Sequence, residues 1–300
     1  IGGFMKTEKN ILIAFILNLI FSLFEFFGGV FTNSIAIISD AIHDLGDALS
    51  IGVSYFLERK SKKKPNNEYT YGYIRYSLLG AFITTVILVS GCIFVIYSSI
   101  KRLFVPEVIN YDGMIIIAII GFVINLGAAT LTKDGDSLNQ KAVNLHMLED
   151  VLGWATVLVS SILIKFTKLS LFDTLASLGV AIFILIGALK NLKNITDLFL
   201  DKVPKDIDVT EILELVKEIP GVIDVHHLHL WSLDGNSNYA TMHIITDSKN
   251  QSLLKEEIKN ELKEHGIAHT TIEIENKKEK CQEHECNIKL DNNLHHHHHH

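Results

Sequence analysis

Cysteine is close to absent, with three in 300 residues. Cys92 lies in an apolar run, so the chain has no disulfide framework, and Cys281 and Cys286 suit a reducing cytoplasmic setting. No Walker A sequence occurs, which removes nucleotide hydrolysis as a source of energy. No His-Glu-x-x-His occurs either, so a zinc protease would lack its second histidine and its general base. The chain is read as a non-enzyme. Positive charge is also short where the chain is polar. Val203 to Leu294 holds 18 acidic and 10 basic residues, against 16 and 17 before it, within a formal net charge of −7. Phosphate binding needs the opposite sign, so nucleic acid is no partner of that part.

What is abundant is apolar. The hydrophobic share is 48% and the mean hydropathy +0.28, with the apolar residues in long runs. This composition describes a membrane protein with a soluble part. Residues 1–4 before Met5 read as a cloning remnant and residues 295–300 as a His tag. Roughly 20 apolar residues cross a bilayer core. On that measure six helices are expected: Ile11 to Phe31, Ser34 to Leu57, Tyr76 to Ile100, Tyr111 to Leu131, Ala142 to Ile164 and Leu171 to Leu189. The basic loop Glu58 to Pro65 belongs in the cytoplasm by the positive-inside rule, and an even number of spans puts both termini there.

The expected organisation is a membrane all-α six-helix domain over 5–202, a cytoplasmic α+β domain over 203–277 and a flexible Cys/His tail over 278–294. In the cytoplasmic domain, Ile207 to Ile219 and Ser252 to His265 read as helices. Val222 to Leu233, Ser237 to Thr246 and Thr270 to Glu275 read as strands, giving the order α-β-β-α-β.

Ionisable residues inside the spans are expensive and mark function. His43 and Asp47 are four apart, one helical turn, so both face one cation. His146 and Asp150 repeat the device about a hundred residues on. Two histidines and two carboxylates suit a tetrahedral borderline ion such as Zn2+, whereas Mg2+ prefers oxygen throughout. Asp40 shares the face of His43 and reads as a carboxylate on the path of the ion. Asp44 is turned about a quarter of the helix away and reads as supporting. Glu149 faces either a water-filled path or another helix. Glu25, Asn18, Asn125 and Asn144 read as groups that join helices.

In the soluble part, alternation along the strand puts His226 opposite His227 and His229. If Asp234-Gly235 is a two-residue turn, Leu233 pairs with Asn236 and His226 falls across from His243. Cross-strand Cβ atoms lie roughly 4.5–5.5 Å apart, close enough for two imidazoles to share a metal. His227 and His265 read as ordinary half-exposed residues. Cys281, His284 and Cys286 offer soft ligands in a loose tail.

From Asn10 to Glu275 the chain resembles the cation diffusion facilitator family of metal/proton antiporters. The resemblance rests on the two His/Asp pairs in their spans, on Tyr71-Gly72-Tyr73-Ile74-Arg75 opening the third span, and on Val225-His226-His227-Leu228-His229-Leu230-Trp231-Ser232. It implies a homodimer in the lipid bilayer, a metallochaperone-like cytoplasmic domain, and Zn2+ passed outward against protons by alternating access. Zn2+ is then both transported substrate and regulatory ligand. The resemblance also implies a cytoplasmic zinc site at His226, His243 and Glu275, its fourth ligand a water or Cys281 or Cys286, and a charge pair between Arg75 and Asp201. Departures are Tyr69, Tyr73 and Ile74 where some bacterial relatives have a further metal site, and Ser77 where many members have Glu. Thr132 to Gln140 holds no His, unlike many eukaryotic members, which suggests a bacterial plasma membrane. Export of Cd2+, Co2+, Mn2+ or Fe2+, or a membrane-bound metal sensor, are the alternative readings.

Overall fold

The computed structural model describes residues 2–32, 35–104, 111–133, 137–167 and 171–277; side chains at 2–8, 28–32, 35–43, 111–118, 157, 160–162, 164–167, 171–173 and 176–177 are outside the description. The chain divides into two units, Ile1–Leu200 with Asp234–Asn236, and Asp201–Leu233 with Ser237–His300.

The first unit is helical: α1 Gly2–Thr32, α2 Ile35–Ser61, α3 Arg75–Phe104, α4 Tyr111–Thr132, α5 Leu138–Thr167 and α6 Leu171–Phe199. Among the described residues, Lys9–Phe27, Arg75–Phe104 and Leu178–Phe199 are long and apolar enough to cross a membrane. The segments of α2 and α5 that carry the site residues are not among them. Helix α1 packs on α2 and α4, α4 on α5, and α3 on α6, with α3 also touching α2 and α5. Ile11, Ala14, Ile51, Ala128, Val143 and Met147 form one buried cluster from α1, α2, α4 and α5. Large apolar side chains such as Phe56, Phe94, Tyr97, Phe183 and Ile186 point outward, as expected of a surface that meets lipid.

The helices run further than the apolar stretches alone suggest. Glu58, expected at the start of the basic loop, is instead buried on α2, which continues to Ser61. Its carboxylate accepts from Ser77 Oγ of α3 at 2.5 Å and from Asn139 Nδ2 of α5 at 3.1 Å. Asn139 also bonds Ser54 of α2. Gly80 permits this approach, because a Cβ there would meet Asn139 Oδ1 at 2.9 Å. A buried carboxylate without hydrogen bonds is costly, so these donors from two other helices hold three helices together at one level.

The second unit runs α7 Val209–Glu218, β1 Val222–Ser232, β2 Asn238–Thr246, α8 Gln251–Glu264 and β3 Ile267–Glu275. Asp208 caps α7 by accepting from Thr210 N, and Asn250 caps α8 by accepting from Leu253 N. The sheet order is β1-β2-β3, antiparallel between β1 and β2 and parallel between β2 and β3. Helical spacing aligns Ile212 and Val216 on α7, and Leu254, Ile258 and Leu262 on α8, into one core with Ala240, Met242 and Ile244 of β2. With these even-numbered β2 residues committed to the core, alternation turns His243 to the opposite face of the sheet.

Candidate metal centres

In the helical unit, α2 and α5 bring Asp47, His146 and Asp150 together. Their ligand atoms lie within 4.8 Å of one another. His146 is 2% exposed and Asp47 7%. His146 Nε2 stands 3.6 Å from Asp47 Oδ2. Two donors on a tetrahedral zinc are about 3.4 Å apart, given metal–ligand lengths of roughly 2.0–2.2 Å, so the pair is at ligand spacing. Asp40 and His43 belong to α2, but their side chains lie outside the described residues.

Two neighbours refine the reading of this cluster. Asn18 of α1, expected only to join helices, donates to Asp150 Oδ2 at 3.2 Å and so orients a donor of the set. The signal was present in its placement within an apolar span, but that does not distinguish helix glue from an orienting group. Glu149 accepts from Cys92 Sγ of α3 at 3.5 Å, and its other oxygen is 3.8 Å from His146 Nδ1. Of its two expected roles, it therefore takes the one that meets another helix.

In the second unit, His226, His243 and Glu275 also place ligand atoms within 4.8 Å of one another. Glu275 sits between the imidazoles, with Oε1 2.6 Å from His243 Nδ1 and Oε2 3.3 Å from His226 Nε2. Glu273 Oε2 adds a contact at 3.3 Å to His243 Nε2. Two nitrogens and a carboxylate fit a borderline divalent cation. Cys281, His284 and Cys286 lie outside the described residues.

The expected pairing of His226 with His243 is present, but the expected route to it is wrong. Leu233 N donates to Ser237 O at 3.2 Å, so the turn holds three residues, Asp234, Gly235 and Asn236, with Gly235 at φ +89°. Asp234 Oδ1 accepts from Asn236 N within it. The longer turn shifts the register by one, to Ser232 with Asn238 and His229 with Thr241. A bulge between His226 and His229 then absorbs one residue and restores His226 opposite His243. The same bulge overturns the placement of His227. At φ +50°, its ring lies 4.8 Å from that of His243 and 5.3 Å from that of His226, beside them instead of across the sheet. His265 caps the end of α8 and stays outside the cluster. Where the loop enters α3, Tyr73 stacks on Tyr76, Tyr69 is tilted against both, and Lys60 lies over Tyr76.

Residues 11–200 match the cation efflux transmembrane domain and residues 204–277 the cytoplasmic domain of cation efflux proteins. The chain is 34% identical over 283 residues to a cadmium, cobalt and zinc/H(+)-K(+) antiporter of Bacillus velezensis, covering 91% of this chain and 90% of that protein. It is 30% identical over 292 residues to the zinc transporter ZitB of Pectobacterium atrosepticum, covering 95% and 90%. It is also 30% identical over 276 residues to the metal cation efflux system protein CzcD of Cupriavidus metallidurans, covering 90% and 87%. With both domains matched in order and nine-tenths of the chain aligned, the protein belongs to the cation efflux family, the cation diffusion facilitators, which are multi-pass membrane transporters of metal cations and not enzymes.

Proposed function

We propose that the chain exports Zn2+ from the cytoplasm in exchange for protons, as a homodimer whose cytoplasmic domain responds to zinc. In this reading residues 5–202 form six spans, 203–277 the metal-binding and dimerisation domain, and 278–294 a flexible tail. Both termini face the cytoplasm of a bacterial cell. His43, Asp47, His146 and Asp150 hold the transported ion. The observation that carries the reading is the convergence of buried Asp47 and His146 with half-buried Asp150 from two helices of an apolar unit. Buried ionisable groups in such a unit are retained for ion pathways.

The chemistry follows from the donor set. Imidazole and carboxylate bind metal only when deprotonated, so zinc and protons compete for the same atoms. Zinc entering from the cytoplasm displaces protons inward. Protons arriving from outside release zinc outward and reset the donors. Asn18 holds Asp150 in position through this cycle, since its amide bonds one carboxylate oxygen and leaves the other for metal. The dimer-forming type of the matched cytoplasmic domain supports two copies. The names of the relatives support zinc and also cadmium and cobalt as cargo.

The test is uptake of labelled zinc by inside-out proteoliposomes with an acidic lumen, membrane potential clamped, and Cd2+, Co2+, Mn2+ or Fe2+ as competitors. Uptake should rise with the gradient and be displaced best by unlabelled zinc. Flux indifferent to the gradient would overturn proton exchange, and preference for another ion would reassign the cargo. Zinc binding without flux of any metal would favour a sensor.

A further inference from the structure

The cytoplasmic donor set of two imidazoles and one carboxylate is one ligand short of the four that zinc prefers. The bulge in β1 points to where the fourth comes from. His227 is one of only two non-glycine residues with positive φ among the described residues. An L side chain disfavours that conformation, and here it turns a histidine out of strand alternation toward His226 and His243.

Ring spacing carries the argument further. An imidazole on zinc has its centroid about 3.2 Å from the metal, from a Zn–N length of about 2.0–2.1 Å plus the ring radius; two such rings at a tetrahedral angle lie about 5.2 Å apart. The three observed separations are 5.3 Å for His226 and His227, 5.3 Å for His226 and His243, and 4.8 Å for His227 and His243. All three rings are thus spaced as they would be around one ion. The donor atoms already within 4.8 Å of one another are those of His226, His243 and Glu275. His227 is half-buried beside them.

We infer that His227 is the fourth ligand of the cytoplasmic site, giving three imidazoles and the Glu275 carboxylate to a zinc-like divalent cation. The inference rests on reading His226, His243 and Glu275 as a metal site. It makes the site complete within one subunit, closed to water as four-ligand structural zinc sites are, with no thiolate borrowed from the tail. It also gives the bulge a function, because the extra residue both restores the His226–His243 pair and delivers its neighbour.

Cobalt reads this directly, since four-coordinate Co2+ absorbs far more strongly in the visible than six-coordinate Co2+, and a thiolate ligand adds a near-ultraviolet charge-transfer band. The full chain, with residues 295–300 removed and Asp47→Ala, Asp150→Ala, Cys281→Ser and Cys286→Ser in the background, is titrated with Co2+. An intense visible band is expected. His227→Asn, chosen because Asn tolerates positive φ, should weaken that band and lower the affinity by about 100-fold, the upper end of what loss of even an outer partner costs. His227→Cys should restore strong absorption and add the thiolate band, which appears only if residue 227 touches the metal. If His243→Ala abolishes cobalt binding while His227→Asn leaves it unchanged, or if His227→Cys shows no thiolate band, His227 is not a ligand and the three-residue site stands. If His243→Ala itself changes nothing, the underlying site reading fails and this inference with it.

Discussion

The two donor clusters use the same residue types and are built by opposite means. In the helical unit, His146 and Asp150 are neighbours through one turn of α5, and tertiary packing has only to bring Asp47 of α2 against them. In the second unit, Glu275 arrives on β3, parallel to β2, while His226 and His243 meet by a register that depends on a turn and a bulge. The first cluster lies among helices of an apolar unit, with Asp47 and His146 buried and Asp150 half-buried. The second lies on the sheet face away from a core made by α7 and α8. The register-dependent device sets two buried donors, His226 and Glu275, beside the half-buried His243.

If the two clusters are separate sites, they must break separately. The largest effect is expected in the helical unit. Asp47→Ala or His146→Ala should lower zinc affinity there by more than about 100-fold, because each removes a direct donor, whereas losing an outer partner alone costs about 10–100-fold. Equilibrium dialysis in detergent should show one zinc fewer per chain with the cytoplasmic zinc retained. Full stoichiometry in either variant would remove Asp47 or His146 from the site. The mirror experiment is His243→Ala, which should lose the cytoplasmic zinc and keep the other.

A packing change should separate the units by stability. Leu262 is fully buried in the core under the sheet, so Leu262→Ala should destabilise the second unit by about 2–5 kcal/mol. Limited proteolysis should then cut after Asp201 and spare the helical unit. A uniform loss across both units would mean that they do not unfold apart. Asn18→Ala leaves the donors of the helical cluster in place and removes only the bond to Asp150. It should raise KM for zinc by about 10–100-fold, the usual cost of losing an orienting partner. An unchanged KM would return Asn18 to a packing role.

The smallest effect lies at the edge of the sheet. Partial burial pushes the Asp224 carboxyl up, but the Lys217 ammonium at 3.0 Å and a backbone hydrogen bond from Val225 together outweigh it and hold the group below its ordinary range. A depressed folded value means that the pair stabilises at neutral pH and that this contribution is lost as pH falls through the acidic range where Asp224 protonates. Both side chains are well exposed, so solvent screening limits the worth to roughly 0.2–1 kcal/mol. Lys217→Ala should lower the melting temperature slightly at pH 7 and not at all at strongly acidic pH. An equal shift at both would assign the effect to lost packing.

These contrasts also explain what could be read from the sequence. Helical spacing is local, so the pairing of His146 with Asp150 on one face followed from four residues of separation and an apolar context. Partners across helices did not follow. Glu58 adjoins a run of lysines and looks like loop, and only the approach of Ser77 and Asn139 reveals it as buried. Asn18 shows the same limit, since a polar residue in a span does not say what it touches. The sheet gave a sharper lesson. The expected two-residue turn was one residue short and the expected strict alternation overlooked a bulge, and these two errors cancelled at His226 and His243. They did not cancel at His227, which was placed on the wrong face. Bulges insert single residues without altering the apolar pattern around them, so neither Leu230 nor Val225 gave it away.

The account stands most directly on flux measured side by side. Labelled zinc uptake is followed in inside-out proteoliposomes with an acidic lumen, for the wild type, Asp150→Ala and His243→Ala, each reconstituted at the same density after elution as a single symmetric peak. The account predicts gradient-driven uptake in the wild type and, within a few-fold, in His243→Ala, with Asp150→Ala no faster than empty vesicles. Wild-type uptake by Asp150→Ala, with His243→Ala silent, would contradict it and move transport away from the helical cluster.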